Sequence, residues 1–175
     1  FLDYIANSND KKLPKKLRWY NPPKEFYEGL NKHKMIQKSN RIQLRIPEKN
    51  FFKIMKYDKI LIQDIKTSMI ENLNENFSLD LDSRFWKNKD SFSRLAFGSV
   101  VSFDKKIASI CYSAAIFNNV AEIDVFSKEQ FRGNGLGKIA AMSFINKCYE
   151  NNIVPNWDCF QNNTVSSSFA RSLGF

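Results

Sequence analysis

Residues 132 to 138 read Arg132-Gly133-Asn134-Gly135-Leu136-Gly137-Lys138, with three glycines at alternate positions and a cation at each end. Glycine lets successive backbone N–H groups turn into one concavity, and a helix starting there adds unpaired N–H groups and the positive end of its dipole. Such a loop holds an anion, phosphate above all. Arg132 offers a bidentate fork to phosphate oxygens and Lys138 a point charge. A second chemistry lies upstream, where Glu122 and Asp124 stand two residues apart in an alternating run, so both carboxylates fall on one strand face. Each would raise the other's pKa, and apolar surroundings would raise both further, toward a base that acts near neutrality. The plainer alternative is a pair of solvent-facing residues on a half-exposed strand.

These residues need a strand, a loop and a helix to position them. Val120–Phe126 alternates, with Val120, Glu122, Asp124 and Phe126 on one face and Ala121, Ile123 and Val125 on the other. After the glycines, Ile139, Ala140, Met142, Phe144, Ile145 and Cys148 recur at helical spacing, which predicts a helix over 137–151. A strand over Pro155–Phe160 and a helix from near Asn163 complete a crossover unit. Before this unit, the apolar runs Leu95–Phe103 and Ile107–Phe117 flank Asp104-Lys105-Lys106 and predict a hairpin. Asn118-Asn119 makes a second tight turn, so three strands form an antiparallel meander. Earlier still, Arg41–Ile46 alternates like a strand. Tyr57–Leu73 carries Ile60, Leu61, Ile65, Met69, Ile70 and Leu73 at helical spacing and predicts an amphipathic helix, and the Asn- and Asp-rich 72–82 predicts a loop.

Spacing decides which phosphate ligand suits the loop. A dinucleotide fingerprint wants its third glycine three residues after the second, where Lys138 stands. A Walker loop wants glycine at 132 and Ser or Thr at 139, where Arg132 and Ile139 stand. The remaining pattern, Arg-Gly-x-Gly-Leu-Gly between a strand and a helix, resembles the loop with which one family of acyltransferases grips the pyrophosphate of coenzyme A. From Ala108 to Phe175 the chain resembles the GNAT N-acetyltransferases, and within them the bacterial zwittermicin-resistance-type subgroup. The matching pieces are Ile110-Cys111-Tyr112-Ser113, Ala121-Glu122-Ile123-Asp124, Phe131 to Gly137, Phe144 to Cys148, Pro155-Asn156-Trp157-Asp158-Cys159, and Asn163 through Leu173-Gly174-Phe175. Their order and spacing carry more than any one of them.

The resemblance implies an α/β (α+β) GNAT fold, a mixed and largely antiparallel sheet flanked by helices, with a splayed strand pair that holds acetyl-CoA. It implies main-chain contacts from Val125, Phe126 and Ser127 to pantetheine, and a pyrophosphate seat at Arg132, Gly133, Asn134, Gly135, Leu136, Gly137 and Lys138. Asn163 stands where the family has an Asn that meets pantetheine, although an Asn opening a helix serves equally as an N-cap. Glu122 resembles the family's base on this strand, and Asp124 could serve instead or bind a cationic substrate. A base is needed because an amine with a pKa of about 10 is protonated at neutral pH and cannot attack a thioester. No cysteine is placed as a nucleophile, so the amine attacks directly. The family's Tyr that meets the leaving thiolate is replaced by Ala170, which leaves Tyr112, a water or a residue beyond Phe175. The acceptor implied is an amine of a small molecule or an amino-containing antibiotic. Two other classes stay open: a catalytically silent acyl-CoA-binding module and a basic nucleic-acid-binding protein.

Composition sets wider bounds. The 175 residues are 43% hydrophobic and 14% aromatic, which suits a folded domain. The longest apolar run, Ile107–Ala121, is too short to span a bilayer and no signal-peptide pattern opens the chain, so no membrane role is expected. Three unpaired-looking cysteines, Cys111, Cys148 and Cys159, point to a reduced, cytoplasmic protein, and the single histidine, His33, argues against a histidine triad or metal site. Net charge is +9, and residues 1–90 carry 19 of the 27 Lys and Arg against 12 of the 18 Asp and Glu. This shift divides the chain into a basic helical and extended region, 1–90, on the substrate side and an acetyl-CoA-binding core, 91–175. Lys11 to Pro23 interleaves cations, prolines and aromatics; it fits a solvated linker, or a segment that binds nucleic acid or an anionic membrane. The chain starts at Phe1 and stops before the family's last two strands, so truncation is expected at either end.

Overall fold

The computed structural model describes residues 23–32 and 39–175. Of the basic stretch from Lys11 to Pro23 all but Pro23 lies outside the described residues, as does His33. The chain divides at Asn40/Arg41 into two compact units. In the first, α1 (Lys24–Asn31) starts at Pro23, whose carbonyl accepts from the Phe26 N–H at 3.0 Å.

The second unit is a six-stranded sheet with helices. Its strands are β1 (Arg41–Arg45), β2 (Ile60–Asp64), β3 (Gly98–Phe103), β4 (Lys106–Phe117), β5 (Val120–Ser127) and β6 (Val154–Phe160), and its helices are α2 (Ile70–Phe77), α3 (Lys89–Leu95), α4 (Leu136–Glu150) and α5 (Thr164–Ser172). The strand order is β1-β6-β5-β4-β3-β2, and every neighbour is antiparallel except β5 with β6. The expected mixed, largely antiparallel sheet is therefore present. The β3–β4 and β4–β5 turns put Asp104, Lys105, Asn118 and Asn119 at φ 47°, 64°, 46° and 58°, the primed two-residue turns whose twist matches the strands.

Three expectations fail. Tyr57–Leu73 is not one helix: Ile60–Asp64 is β2, and α2 begins only at Ile70 after a short 3₁₀ turn. Ile60 and Ile62 pack inward while Leu61 is exposed, a period of two that pairing with β3 enforces; the strand set and the α2 set placed end to end imitate a helical period. The loop over 72–82 starts late, because α2 runs to Phe77 and ends at Ser78 in the left-handed region, φ 51°. The strand over 95–103 begins at Gly98, and before it α3 is capped by the Asn88 side chain, which accepts from the Ser91 N–H at 2.9 Å. The compositional shift near residue 90 coincides with no structural boundary, since β2 pairs with β3 inside one compact unit.

Both sheet faces are covered in part. α4 buries Leu136, Ala140, Ala141, Phe144, Ile145 and Cys148 against one face, in a core with Val101, Cys111, Ala121 and Trp157. On the other face Ile70, Leu73, Leu81 and Phe92 meet Val100, Ile110 and Tyr112. All three cysteines are buried free thiols. Burial pushes the Cys111 and Cys148 thiols upward, away from the thiolate a nucleophile needs. Among the described residues no helix is long and apolar enough to cross a membrane.

Candidate functional site

The sheet opens where β5 meets β6. Their parallel ladder has three rungs, Val120–Val154, Ala121–Pro155 and Glu122–Asn156. Beyond Glu122, β5 stays paired with β4 as far as Ser127 but has no β6 partner. A bulge in β4 between Ser113 and Ala115 breaks the register opposite this point, and bulges bend and twist a strand. Val125, Phe126 and Ser127 thus lie along a parted strand edge, beside the glycine loop.

Gly133 and Gly135 sit at φ 79° and 74°, a left-handed conformation that side chains disfavour, and a Cβ on either would meet nothing within 4 Å. The requirement is conformational, and the space over the loop is open. The Asn134 side chain donates to the carbonyls of Phe131 and Arg132 at 3.3 and 3.2 Å, holding the turn. Leu136 is buried and anchors the start of α4, leaving the first-turn N–H groups of Leu136, Gly137 and Lys138 without helical partners. A concavity of this kind fits a pyrophosphate. Arg132 is exposed at its mouth, and its Nε donates to the Ser127 carbonyl at 3.3 Å. Lys138 is half-buried in the first turn of the helix.

Gly137 has a different task. A Cβ there would lie 2.7 Å from Ser127 Oγ, which pairs with Ser109 Oγ at 2.8 Å, so glycine lets α4 seat against β5. Gly137→Ala is expected to lower unfolding free energy by about 1–3 kcal/mol through overpacking. Adding Ser127→Ala should recover part of it, which urea melts of the single and double variants would show.

The two carboxylates differ. Asp124 accepts from the Tyr112 hydroxyl at 2.9 Å and lies 3.9 Å from an Arg84 nitrogen, with the Arg84 guanidinium over the Phe126 ring. Burial raises the Asp124 pKa, and Arg84 and Tyr112 pull it part of the way back. The rise comes from burial, and not from the mutual push of Glu122 that their shared face led us to expect. Tyr112 is fully buried, and burial followed by the Asp124 charge drives its pKa upward. Its hydroxyl proton is directed at Asp124.

A raised carboxyl pKa has a fixed sign in stability. The folded state binds the Asp124 proton more tightly than the unfolded chain, so this contribution is full below the ordinary carboxylate pKa and is lost as pH rises through the raised one. Asp124→Asn should therefore flatten a decline in stability above about pH 4, the ordinary carboxylate range. Denaturation midpoints of both proteins across that window measure it.

Glu122 is half-buried on the last paired rung, the point at which the strands part. Sequence reasoning passed over its neighbour Asn156 as no more than a piece of a motif. Asn156 is 2% exposed and its Oδ1 has no hydrogen-bond partner, an uncommon state for a buried carbonyl. A polar residue inside the buried run Pro155-Asn156-Trp157 was the available signal. Asn163 caps α5, accepting from the Ser166 N–H at 3.0 Å. Ala170 is fully buried in the core.

A model of the GNAT acetyltransferase family matches residues 13–175. The chain belongs to the GNAT acetyltransferase family. An uncharacterized N-acetyltransferase of Bacillus subtilis, YdfB, is 31% identical to this GNAT chain over 140 residues, covering 80% of the chain and 54% of that protein. A GCN5-related N-acetyltransferase-like protein from Streptococcus suis superposes with a TM-score of 0.61 at 23% identity, over 78% of this chain and 57% of that one. A putative GNAT-family acetyltransferase from Novosphingobium aromaticivorans gives 0.56 at 18%, over 78% and 58%. The chain thus spans somewhat over half the length of these relatives, and the two structures establish the shared fold.

Proposed function

We propose that this GNAT chain carries the donor half of an N-acetyltransferase that moves an acetyl group from acetyl-CoA to an amine of a small molecule. The observation that carries the reading is the parted β5 edge opening directly onto the glycine loop and the start of α4. The loop N–H groups, Arg132 and Lys138 bind the pyrophosphate, and the β5 backbone at Val125, Phe126 and Ser127 pairs with the amides of the pantetheine arm. When bound, the donor supplies a thioester carbonyl. Glu122, at the parting point, takes the proton of the attacking amine, and Asp124 with Arg84 and Tyr112 holds the neighbouring wall. The acyl–sulfur bond breaks as the amide bond forms, and the thiolate draws its proton from solvent or from a group other than Tyr112.

The small-molecule acceptor rests on the resemblance to the zwittermicin-resistance-type subgroup. Release of coenzyme A, followed over a library of amines with the full-length protein, tests the reading. Turnover with an amino-containing small molecule is the expected result. Binding of coenzyme A without thioester cleavage on any amine would leave the silent acyl-CoA-binding module.

A further inference from the structure

The loop between α2 and α3 is tied to α2 at one end and to β4 at the other. The Asn74 side chain accepts from the Leu81 N–H at 2.8 Å and donates to Asp82 at 3.1 Å, and Leu81 is fully buried. Farther on, Trp86 Nε1 donates to the Ser113 carbonyl at 3.0 Å, at the β4 bulge, and its ring meets Phe92 edge-on at 6.2 Å. Between these ties stands Arg84, whose backbone N–H donates to the Asp80 carbonyl at 2.7 Å. Its guanidinium lies 5.0 Å from the centre of the Phe85 ring and 5.0 Å from that of Phe126. A guanidinium stacked on rings in this way is already oriented, so it loses little freedom on binding a partner.

The Asp124 contact does not occupy the Arg84 fork. At 3.9 Å it exceeds hydrogen-bond range, and Asp124 takes its hydrogen bond from Tyr112 instead. Among the described residues the Arg84 side chain donates no hydrogen bond, and it is 39% exposed. An arginine held in place with its donors open matches a planar anion, carboxylate first. The neighbouring groups set what carries that carboxylate. Glu122, the proposed base, and Asp124 share a strand face two residues apart, about 7 Å at about 3.3 Å per residue. With one hydrogen bond of about 2.8 Å at each end, that span leaves room for about one to three carbons between an amine and a carboxylate. Charge agrees, since two carboxylates and one guanidinium complement a zwitterion with its ammonium toward Glu122 and its carboxylate on Arg84.

We propose that Arg84 anchors a carboxylate of the acceptor, so that the amine acetylated beside Glu122 belongs to a small amino carboxylate. The proposal rests on the N-acetyltransferase reading above. Initial rates of coenzyme A release test it, with the full-length protein and its Arg84→Ala and Arg84→Lys variants. The acceptors are the common amino acids, their carboxamides, the matching decarboxylated amines and aminoalkylphosphonates. Wild type should favour carboxylates over their carboxamides by about 10- to 100-fold in kcat/KM, as a charge-assisted fork allows. Arg84→Ala should remove that preference through KM with kcat nearly unchanged, because the carboxylate is held alike in the ground and transition states. Arg84→Lys should keep part of it. Arg84 is exposed, so its loss leaves the core intact, and both variants should bind acetyl-CoA as wild type does. Wild-type preference for carboxamides, plain amines or phosphonates overturns the proposal and leaves the N-acetyltransferase reading standing. So does a carboxylate preference that survives Arg84→Ala, or a loss in that variant that falls on all amines alike. Absence of wild-type turnover on every amine, in this panel and in the wider library, overturns the N-acetyltransferase reading itself.

Discussion

Replacing Glu122 with glutamine is expected to lower kcat for acetyl transfer by about 100- to 10,000-fold, the range over which a positioned general base acts. The KM for acetyl-CoA should change little, because the side chain stands on the rung where β5 and β6 part, away from the glycine loop along the strand. Glutamine preserves shape and hydrogen bonding while removing basicity. Asp124, already engaged by Tyr112 and Arg84, is expected to restore little of the lost turnover. A pH profile of kcat/KM distinguishes loss of a base from loss of structure: the acidic limb should vanish in the variant. Unchanged turnover would remove Glu122 from the chemistry and turn attention to Asp124 or a bound water.

The second large effect is on stability. Phe144→Ala should cost about 3–5 kcal/mol, the usual range for deleting a buried aromatic ring. Phe144 is fully buried in the middle of α4 and stacks on Phe97 at a centroid distance of 4.9 Å and an interplanar angle of 12°. Its partners lie on the segment leading into β3 and in the sheet itself, so collapse of the surroundings cannot close the space cheaply. For a domain with net stability of about 5–15 kcal/mol, this is a large fraction of the total. Chemical denaturation measures it; a loss under about 1 kcal/mol would mean that α4 is held by something other than this core.

Legibility in the sequence followed the locality of the signal. The meander, the glycine loop, α4 and β6 were readable because each is set by adjacent residues: positive-φ turns at Asp104-Lys105 and Asn118-Asn119, strict alternation over 120–126, and an apolar helical stripe after Gly137. The region from 57 to 95 was misread because its elements are short and set by tertiary pairing. β2 is a strand because β3 offers it an edge, and Ile60-Leu61-Ile62 has no intrinsic pattern long enough to say so. In the candidate site, the shared face of Glu122 and Asp124 was visible, but their inequivalence was not. That difference arises from Tyr112, across the β4–β5 ladder, and from Arg84, in a loop forty residues away. Asn156 was hidden for the same reason, as its neighbour on β5 is thirty-four residues earlier. The hydrogen bond from the Phe52 N–H to Asn146 Oδ1 joins residues 94 apart, which no spacing within one element could announce.

Titration of acetyl-CoA into the full-length protein by calorimetry, alongside Arg132→Ala, tests the account's central claim that the loop at 132–138 is a coenzyme A pyrophosphate site. Arg132 is exposed, so the variant should fold as wild type does. Saturable one-to-one binding is expected, weakening about 10-fold when the charge-assisted contact is lost. Absence of saturable binding by wild type, or equal affinity in Arg132→Ala, would contradict it.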